Sequence, residues 1–229
     1  MLPLFDIDGT LVRDRPLTHQ AALEAAAVEV FGLRVEPGTD PIRAVEPWGK
    51  TDRQILRDVL AAAGLAALSE EDVARWERAA CEAYARLEVD DAAERHKDTA
   101  AALGRLRDAG HALALVTGNL EPIARRKLSL RGLAGYFPDG QGGFGSDADL
   151  RPALVPIART RAGAPGQPHP RADTVLIGDT PRDVEAALAD QVRCIAVTGE
   201  RFGAAALSDA GATATVATIP EVEPALARL

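Results

Sequence analysis

Three short polar clusters carry the residues of this chain that could do chemistry together. They are Asp6-Ile7-Asp8-Gly9-Thr10, Thr117-Gly118-Asn119 and Gly178-Asp179-Thr180-Pro181-Arg182-Asp183. Each lies at the end of a short apolar run of the kind that forms a buried strand. In a doubly wound sheet the carboxyl ends of the strands face the ligand. If these strands are neighbours, the carboxylates of Asp6, Asp8, Asp179 and Asp183 converge with the Thr117 hydroxyl and several backbone N–H groups. Carboxylates packed that closely repel one another, and a hard divalent cation resolves the conflict. Mg²⁺ suits best, because it takes one or a few carboxylates plus water and phosphate oxygens. Asp6 and Asp8 lie two apart where the chain turns out of its strand. One carboxylate could then attack while the other transfers a proton. Thr117 and the N–H groups after it open a helix and could cradle a phosphoryl anion.

The elements that must position these clusters alternate. Leu4 to Ile7 reads as a strand closed by a turn. From Thr18 to about Gly64 the pattern is helical, with Leu23, Ala27, Val30 and Phe31 on one face and Ile55, Leu56, Val59, Leu60 and Ala63 on another. Ser69 followed by Asp72 starts a helix that runs to about Val89. Beyond it the order is helix 98–109, strand 111–116, helix 122–130, short strand 142–145, helix 152–161, strand 175–178, helix 181–189 and strand 192–197. Such alternation predicts an α/β fold with a doubly wound, mostly parallel sheet. The opening strand must join that sheet, because four apolar residues cannot form a core alone. The chain therefore divides into an α/β core, residues 1–14 and 94–229, and a small all-helical domain inserted at residues 15–93.

Composition narrows the function. The 229 residues carry 34 Asp and Glu against 26 Lys and Arg, a net charge of −8. That balance argues against a dedicated nucleic-acid binder. No apolar run approaches the length of a membrane span, and the N-terminus lacks the basic region of a signal peptide. Cys81 and Cys194 show neither a disulfide framework nor metal-ligand spacing, and read as small buried hydrophobes. A cytoplasmic protein, monomer or homodimer, is expected. Lysine occurs only at positions 50, 97 and 127, so any chemistry needing an ammonium group must use one of three residues.

The motifs F-D-I-D-G-T-L at 5–11, V-T-G-N at 116–119 and I-G-D-T-P-R-D at 177–183, in that order, resemble those of the haloacid dehalogenase superfamily. The helical insert also falls where that family carries a small cap domain. The resemblance spans nearly the whole chain and implies a phosphatase-like member with a Rossmann-like core. It implies that Asp6 attacks phosphorus and forms an aspartyl-phosphate, and that Asp8 protonates the leaving alcohol and later activates water. Thr117 would hydrogen-bond the phosphoryl oxygens, with Gly118 and Asn119 beside it. Mg²⁺ would be held by Asp6, the backbone carbonyl of Asp8 and Asp179. Asp183 would be a further ligand or would orient a basic residue. The sequence departs from the family at that basic residue: where the family usually has Lys, this chain has Arg151-Pro152. Lys127 competes for the role, but it sits roughly 7 Å along its helix, on an axis running away from the strand ends. Arg151 is therefore preferred, since a guanidinium suits phosphate oxygens; Lys127 stays the alternative catalytic cation, its other reading being a side chain that covers a surface with its aliphatic stem.

Other residues carry weaker expectations. Trp48-Gly49-Lys50-Thr51-Asp52 is either a loop with a helix cap or a substrate-selecting loop in which Lys50 meets a second anionic group. Ser146 or Asp147 could join the rim of the site. His19, His96, His111 and His169 lack pairing or metal spacing and suit surface or packing roles. The leading function is a Mg²⁺-dependent phosphatase for a small phosphorylated metabolite. A phosphosugar mutase, or a phosphonate-cleaving hydrolase using Lys50 as an imine-forming nucleophile, are the alternatives. A haloacid dehalogenase would need neither Asp8 nor a metal.

Overall fold

The computed structural model describes residues 1–13, 18–65, 68–87 and 96–229. Six parallel strands form one sheet in the order β3-β2-β1-β4-β5-β6: β1 Leu2–Phe5, β2 Ala114–Thr117, β3 Gly143–Phe144, β4 Thr174–Gly178, β5 Arg193–Val197 and β6 Ala214–Val216. β1, β2 and β4 are buried along their whole length. That is why they read as continuous apolar runs rather than alternating ones: helices cover both faces of a parallel sheet. β1 pairs with β2 on one side and β4 on the other, with Phe5 opposite Leu115 and Ile177. The strand order thus reverses at β1, and a crevice opens there at the carboxyl ends.

Helices α5 (Lys97–Asp108), α6 (Glu121–Ser129), α7 (Leu154–Ala162), α8 (Pro181–Ala189), α9 (Ala204–Asp209) and α10 (Val222–Leu226) belong to this layered arrangement. One face of the sheet packs Phe5, Ile7, Leu115 and Ile177 against Leu103, Leu106, Val222 and Leu226. The other packs Leu2, Leu4, Val116 and Leu176 against Leu154, Val155, Val184 and Ala187. Side chains of this size each contribute about 1.5–3 kcal/mol when fully buried. α8 begins where the sequence predicts. Thr180 caps it, Pro181 sits in its first turn, and the Asp183 carboxylate accepts the Thr180 N–H, a capping box.

Between β1 and β2 lies the helical insert: α1 Thr18–Phe31, α2 Pro41–Ala44, α3 Asp52–Ala62 and α4 Glu70–Arg86. The expected helical stretch from 18 to 64 is therefore broken twice, at Gly32 and after Ala44; Gly32 takes a left-handed φ of 65° and Glu46 one of 49°. α4 starts at the Ser69–Asp72 capping box, but the expected end near Val89 lies outside the described residues. So do both junctions of the insert, at 14/15 and 93/94. Leu23, Ala27, Leu56, Leu60, Trp76 and Tyr84 form the insert's own cluster, which continues onto Leu120, just before α6, and Ile123 within it. Trp76 donates its indole N–H to the Leu23 carbonyl at 3.2 Å. Among the described residues, no helix is long and apolar enough to cross a membrane. β6, α9 and α10 carry no strong periodicity and fall beyond the last element expected from the sequence.

Candidate active site

The three polar clusters meet at the crevice. Asp6 follows β1 and is nearly inaccessible, and its backbone N–H is tied to the Ile177 carbonyl of β4 at 2.9 Å. One carboxylate oxygen from each of Asp6, Asp179 and Asp183 lies within 4.8 Å of the others. Gly9 is what permits this approach. It has a φ of 88°, and a Cβ there would stand 2.1 Å from an Asp179 oxygen. Thr10 donates its hydroxyl to Asp179 at 3.3 Å.

Arg151 lies beneath this group. One of its guanidinium nitrogens is 3.0 Å from Asp6 and 2.5 Å from Asp183. Another donates to the Gly49 carbonyl of the insert at 3.3 Å. Burial opposes the Arg151 charge, but Asp183 and Asp6 more than offset it and raise its pKa. For Asp6 the balance runs the other way. Burial, with repulsion from Asp183 and Asp8, outweighs Arg151 and pushes its carboxyl up to about 7. Three carboxylates against one guanidinium leave excess negative charge. Buried carboxylate oxygens this close together could hold a metal ion, which would supply the missing positive charge.

Asp8 lies in a different field. Its carboxylate accepts from both sides: Lys127 Nζ at 2.8 and 2.6 Å, and Asn119 Nδ2 at 2.8 Å. Crowding by protein disfavours its charge. The Lys127 ammonium and these hydrogen bonds prevail and hold Asp8 well below the usual carboxylate range. Lys127 does not cover a surface, then: its side chain is only 3% exposed and points into the site. The reason is directional. Helical Cα–Cβ bonds tilt toward the N-terminus, so a long side chain from the second turn of α6 reaches back to the strand ends. Arg151 and Lys127 both enter the site, one on Asp6 and the other on Asp8.

Thr117 ends β2 and is fully buried. Its hydroxyl accepts the Asn119 N–H at 3.3 Å, and the Leu120 N–H goes to Asp52 at 2.9 Å. Two of the N–H groups expected to cradle an anion are thus already engaged. Gly118 and Asn119, rather than Thr117, line the cavity. Gly118 has a second use. A Cβ there would be 2.1 Å from the Lys50 carbonyl, so only glycine lets the insert's loop settle on the strand end. There the Asp52 N–H donates to the Gly118 carbonyl at 2.8 Å.

The cavity between core and insert measures about 260 Å³. Asp6, Asp8 and Asp179 form its floor, and Lys50, Trp48, Arg43 and Arg201 lie among its walls. Arg201, in the loop after β5, stacks its guanidinium 3.5 Å over the Trp48 ring of the insert. Lys50 turns its ammonium to Asp58 at 2.8 Å and to the Val45 carbonyl. Thr51 caps α3 and so fulfils the helix-cap reading, while Trp48 in the same stretch lines the cavity. Ser146 and Asp147 do not join the rim: Ser146 accepts the Glu121 N–H, and Asp147 pairs with Arg161. Cys194 is buried, but Cys81 is only partly so.

His19 and Asp52 also reach the site, although neither carries a local pattern that marks it as functional. His19 does more than pack, because it touches Lys127 at 3.1 Å and Asp52 at 3.1 Å. Thirty-three positions separate it from Asp52, so no local spacing could have signalled the pair.

Comparison with solved structures places the architecture. A predicted phosphatase from Clostridium acetobutylicum is 22% identical, with a TM-score of 0.69 over 100% of this chain and 98% of that one. CbbY from Rhodobacter sphaeroides, in complex with phosphate, is 17% identical, with a TM-score of 0.68 over 96% and 95%. A hydrolase from Pseudomonas syringae is 17% identical, with a TM-score of 0.64 over 99% and 98%. At these identities the likeness is one of fold. No curated protein matches the chain significantly. The model of the haloacid dehalogenase-like hydrolases matches residues 3–189. With the motifs in order, the six-stranded parallel sheet and the helical insert after β1, this chain belongs to the haloacid dehalogenase-like hydrolases.

Proposed function

We propose that the protein is a Mg²⁺-dependent phosphatase that hydrolyses a small phosphomonoester through an aspartyl-phosphate on Asp6. The observation that carries this reading is the pairing of two carboxylates with two cations at one cavity: Asp6 with Arg151, and Asp8 with Lys127. Asp6, Asp179 and the Asp8 backbone carbonyl would hold the metal, which supplies positive charge to the phosphoryl oxygens and to Asp6. Both oxygens of Asp183 are engaged, by Arg151 and by Thr180. That supports a role in orienting Arg151.

In the first half-reaction an Asp6 oxygen attacks phosphorus, the ester P–O bond breaks, and the leaving oxygen takes a proton from Asp8. An entering phosphate dianion raises the proton affinity of Asp8 by its own charge, and Asp8 takes up the proton it will transfer from solvent as the substrate binds. In the second half-reaction Asp8, ionised again beside Lys127, takes a proton from water. The resulting hydroxide attacks phosphorus, and the Asp6–phosphorus bond breaks. Closure of the insert over the cavity excludes bulk water.

The small cavity suits a metabolite rather than a polymer. CbbY, similar in fold, is known with phosphate and, as a mutant, with xylulose-1,5-bisphosphate. Phosphorylated sugars are accordingly the substrates to test first. Lys50, paired with Asp58, lends no support to imine chemistry. The experiment is a phosphoester panel with Mg²⁺, scored for inorganic phosphate and for isomerised sugar phosphate. Hydrolysis by the wild type, its loss in Asp6→Asn, and an acid-stable phosphoryl group mapped to Asp6 are expected. No turnover of any phosphoester would overturn the reading, and isomerised product without net phosphate release would replace it with a mutase.

A further inference from the structure

We infer that His19, oriented by Asp52, is a positioning residue that holds the Lys127 ammonium against Asp8, so that the helical insert completes the core's catalytic pair. The inference rests on the phosphatase reading for its catalytic meaning, but its geometry stands apart from it.

Lys127 Nζ lies 2.8 and 2.6 Å from the two Asp8 oxygens, 2.6 Å from Asn119 Oδ1 and 3.1 Å from His19 Nδ1. An ammonium group only donates, so Nδ1 must be the acceptor, and the ring proton then sits on Nε2. That nitrogen is 3.1 Å from Asp52 Oδ2, which accepts it. The same Asp52 oxygen accepts the Leu120 N–H at 2.9 Å, which fixes the carboxylate to the start of α6. Tyr84 meets the His19 ring edge-on, with centroids 6.1 Å apart. Four acceptor atoms thus share the three Lys127 N–H groups, the His19 Nε2–H goes to Asp52, and the imidazole has one orientation that serves both neighbours.

The members come from two sides. Lys127, Asn119 and Asp8 belong to the core, whereas His19 is on α1 and Asp52 opens α3. The insert is fastened at this point. Thr51 donates its hydroxyl to the Asp149 carbonyl, Arg57 pairs with Asp149 at 2.7 Å, and the Asp52 N–H meets Gly118. A lysine side chain has four rotatable bonds and many ways to leave Asp8. The core surrounds the ammonium with Asp8 and Asn119, and His19 of the insert closes the remaining side.

Two near-isosteric variants separate this role from packing. His19→Asn keeps an acceptor at the Nδ1 position, whereas His19→Gln keeps a donor at the Nε2 position and offers Lys127 none. With a phosphoester the wild type hydrolyses, His19→Gln should lower kcat about tenfold at nearly constant KM, and His19→Asn should stay within about threefold of wild type. The second readout needs no activity. With three lysines in the chain, limited acetylation followed by mass spectrometry reports each one separately. Lys127 should be acetylated several-fold faster in His19→Gln than in wild type or His19→Asn, with Lys97 unchanged in all three. Equal Lys127 rates in the three proteins would overturn the proposal, as would equal kcat losses in both variants. If the wild type turns over no phosphoester, the acetylation pattern decides alone, and failure of the phosphatase reading stays distinct from failure of this one.

Discussion

Replacing Asp6 by Asn in cation-free protein should stabilise the fold at pH 8 and leave it nearly unchanged at pH 4. Burial and the neighbouring carboxylates raise the Asp6 carboxyl from 3.8 to about 7. The folded state therefore binds a proton there that the unfolded state has released, across the window from pH 3.8 to about 7. Stability falls as pH rises through that window, and above it the folded protein carries the full cost of an ionised, buried Asp6. A shift of roughly three units at about 1.4 kcal/mol each puts that cost near 4 kcal/mol. At roughly 2–4 °C per kcal/mol for a chain of this size, the variant should melt roughly 10 °C above wild type at pH 8. Thermal unfolding followed by circular dichroism in a chelator, at several pH values from 4 to 8, measures the difference. Added Mg²⁺ should recover part of the cost in wild type and little in the variant. A variant that melts at or below wild type at pH 8, or one whose gain does not grow with pH, would refute the reasoning.

Other substitutions probe the surrounding structure. Gly118→Ala places a Cβ against the Lys50 carbonyl; a loss of about 1–3 kcal/mol in urea unfolding is expected, with a raised KM as the insert's loop lifts. Trp48→Ala removes the ring beneath Arg201. A contact worth about 0.5–1 kcal/mol should appear as a few-fold rise in KM with kcat retained in steady-state assays. Asp190→Ala removes the carboxylate that pairs with buried Arg159 at 2.9 Å and with Arg171 at 3.0 Å, remote from the cavity. It should cost about 3–5 kcal/mol in unfolding measurements while leaving the kcat of the folded enzyme as it was.

The core was readable in the sequence because its physics is local. Buried parallel strands announce themselves as short apolar runs, and Thr180-Pro181 with Asp183 specifies a helix start from four residues. The carboxylates at the ends of β1 and β4 followed from that framework. Axial position ranks Lys127 below Arg151, but the backward lean of a helical side chain brings both into the site. His19 and Asp52 were illegible for another reason. They meet only when the insert folds onto the core, and their distance along the chain carries no period. Thr117 shows the reverse error. The motif suggested free N–H groups, but the fold uses two of them internally, one for Asp52.

The two outer strands of the sheet have a consequence for the chain's behaviour in concentrated solution. β3 has two residues and β6 three, whereas the strands between them have four or five. An exposed strand edge is a template on which a second molecule can add its own strand. Edges this short offer a newcomer very few backbone hydrogen bonds, too few to offset the entropy of ordering it. The longest and most apolar segments, those that would be sticky if they lay at the margin, are all flanked on both sides. The sheet therefore ends in strands that give little purchase for edge-to-edge growth into aggregates.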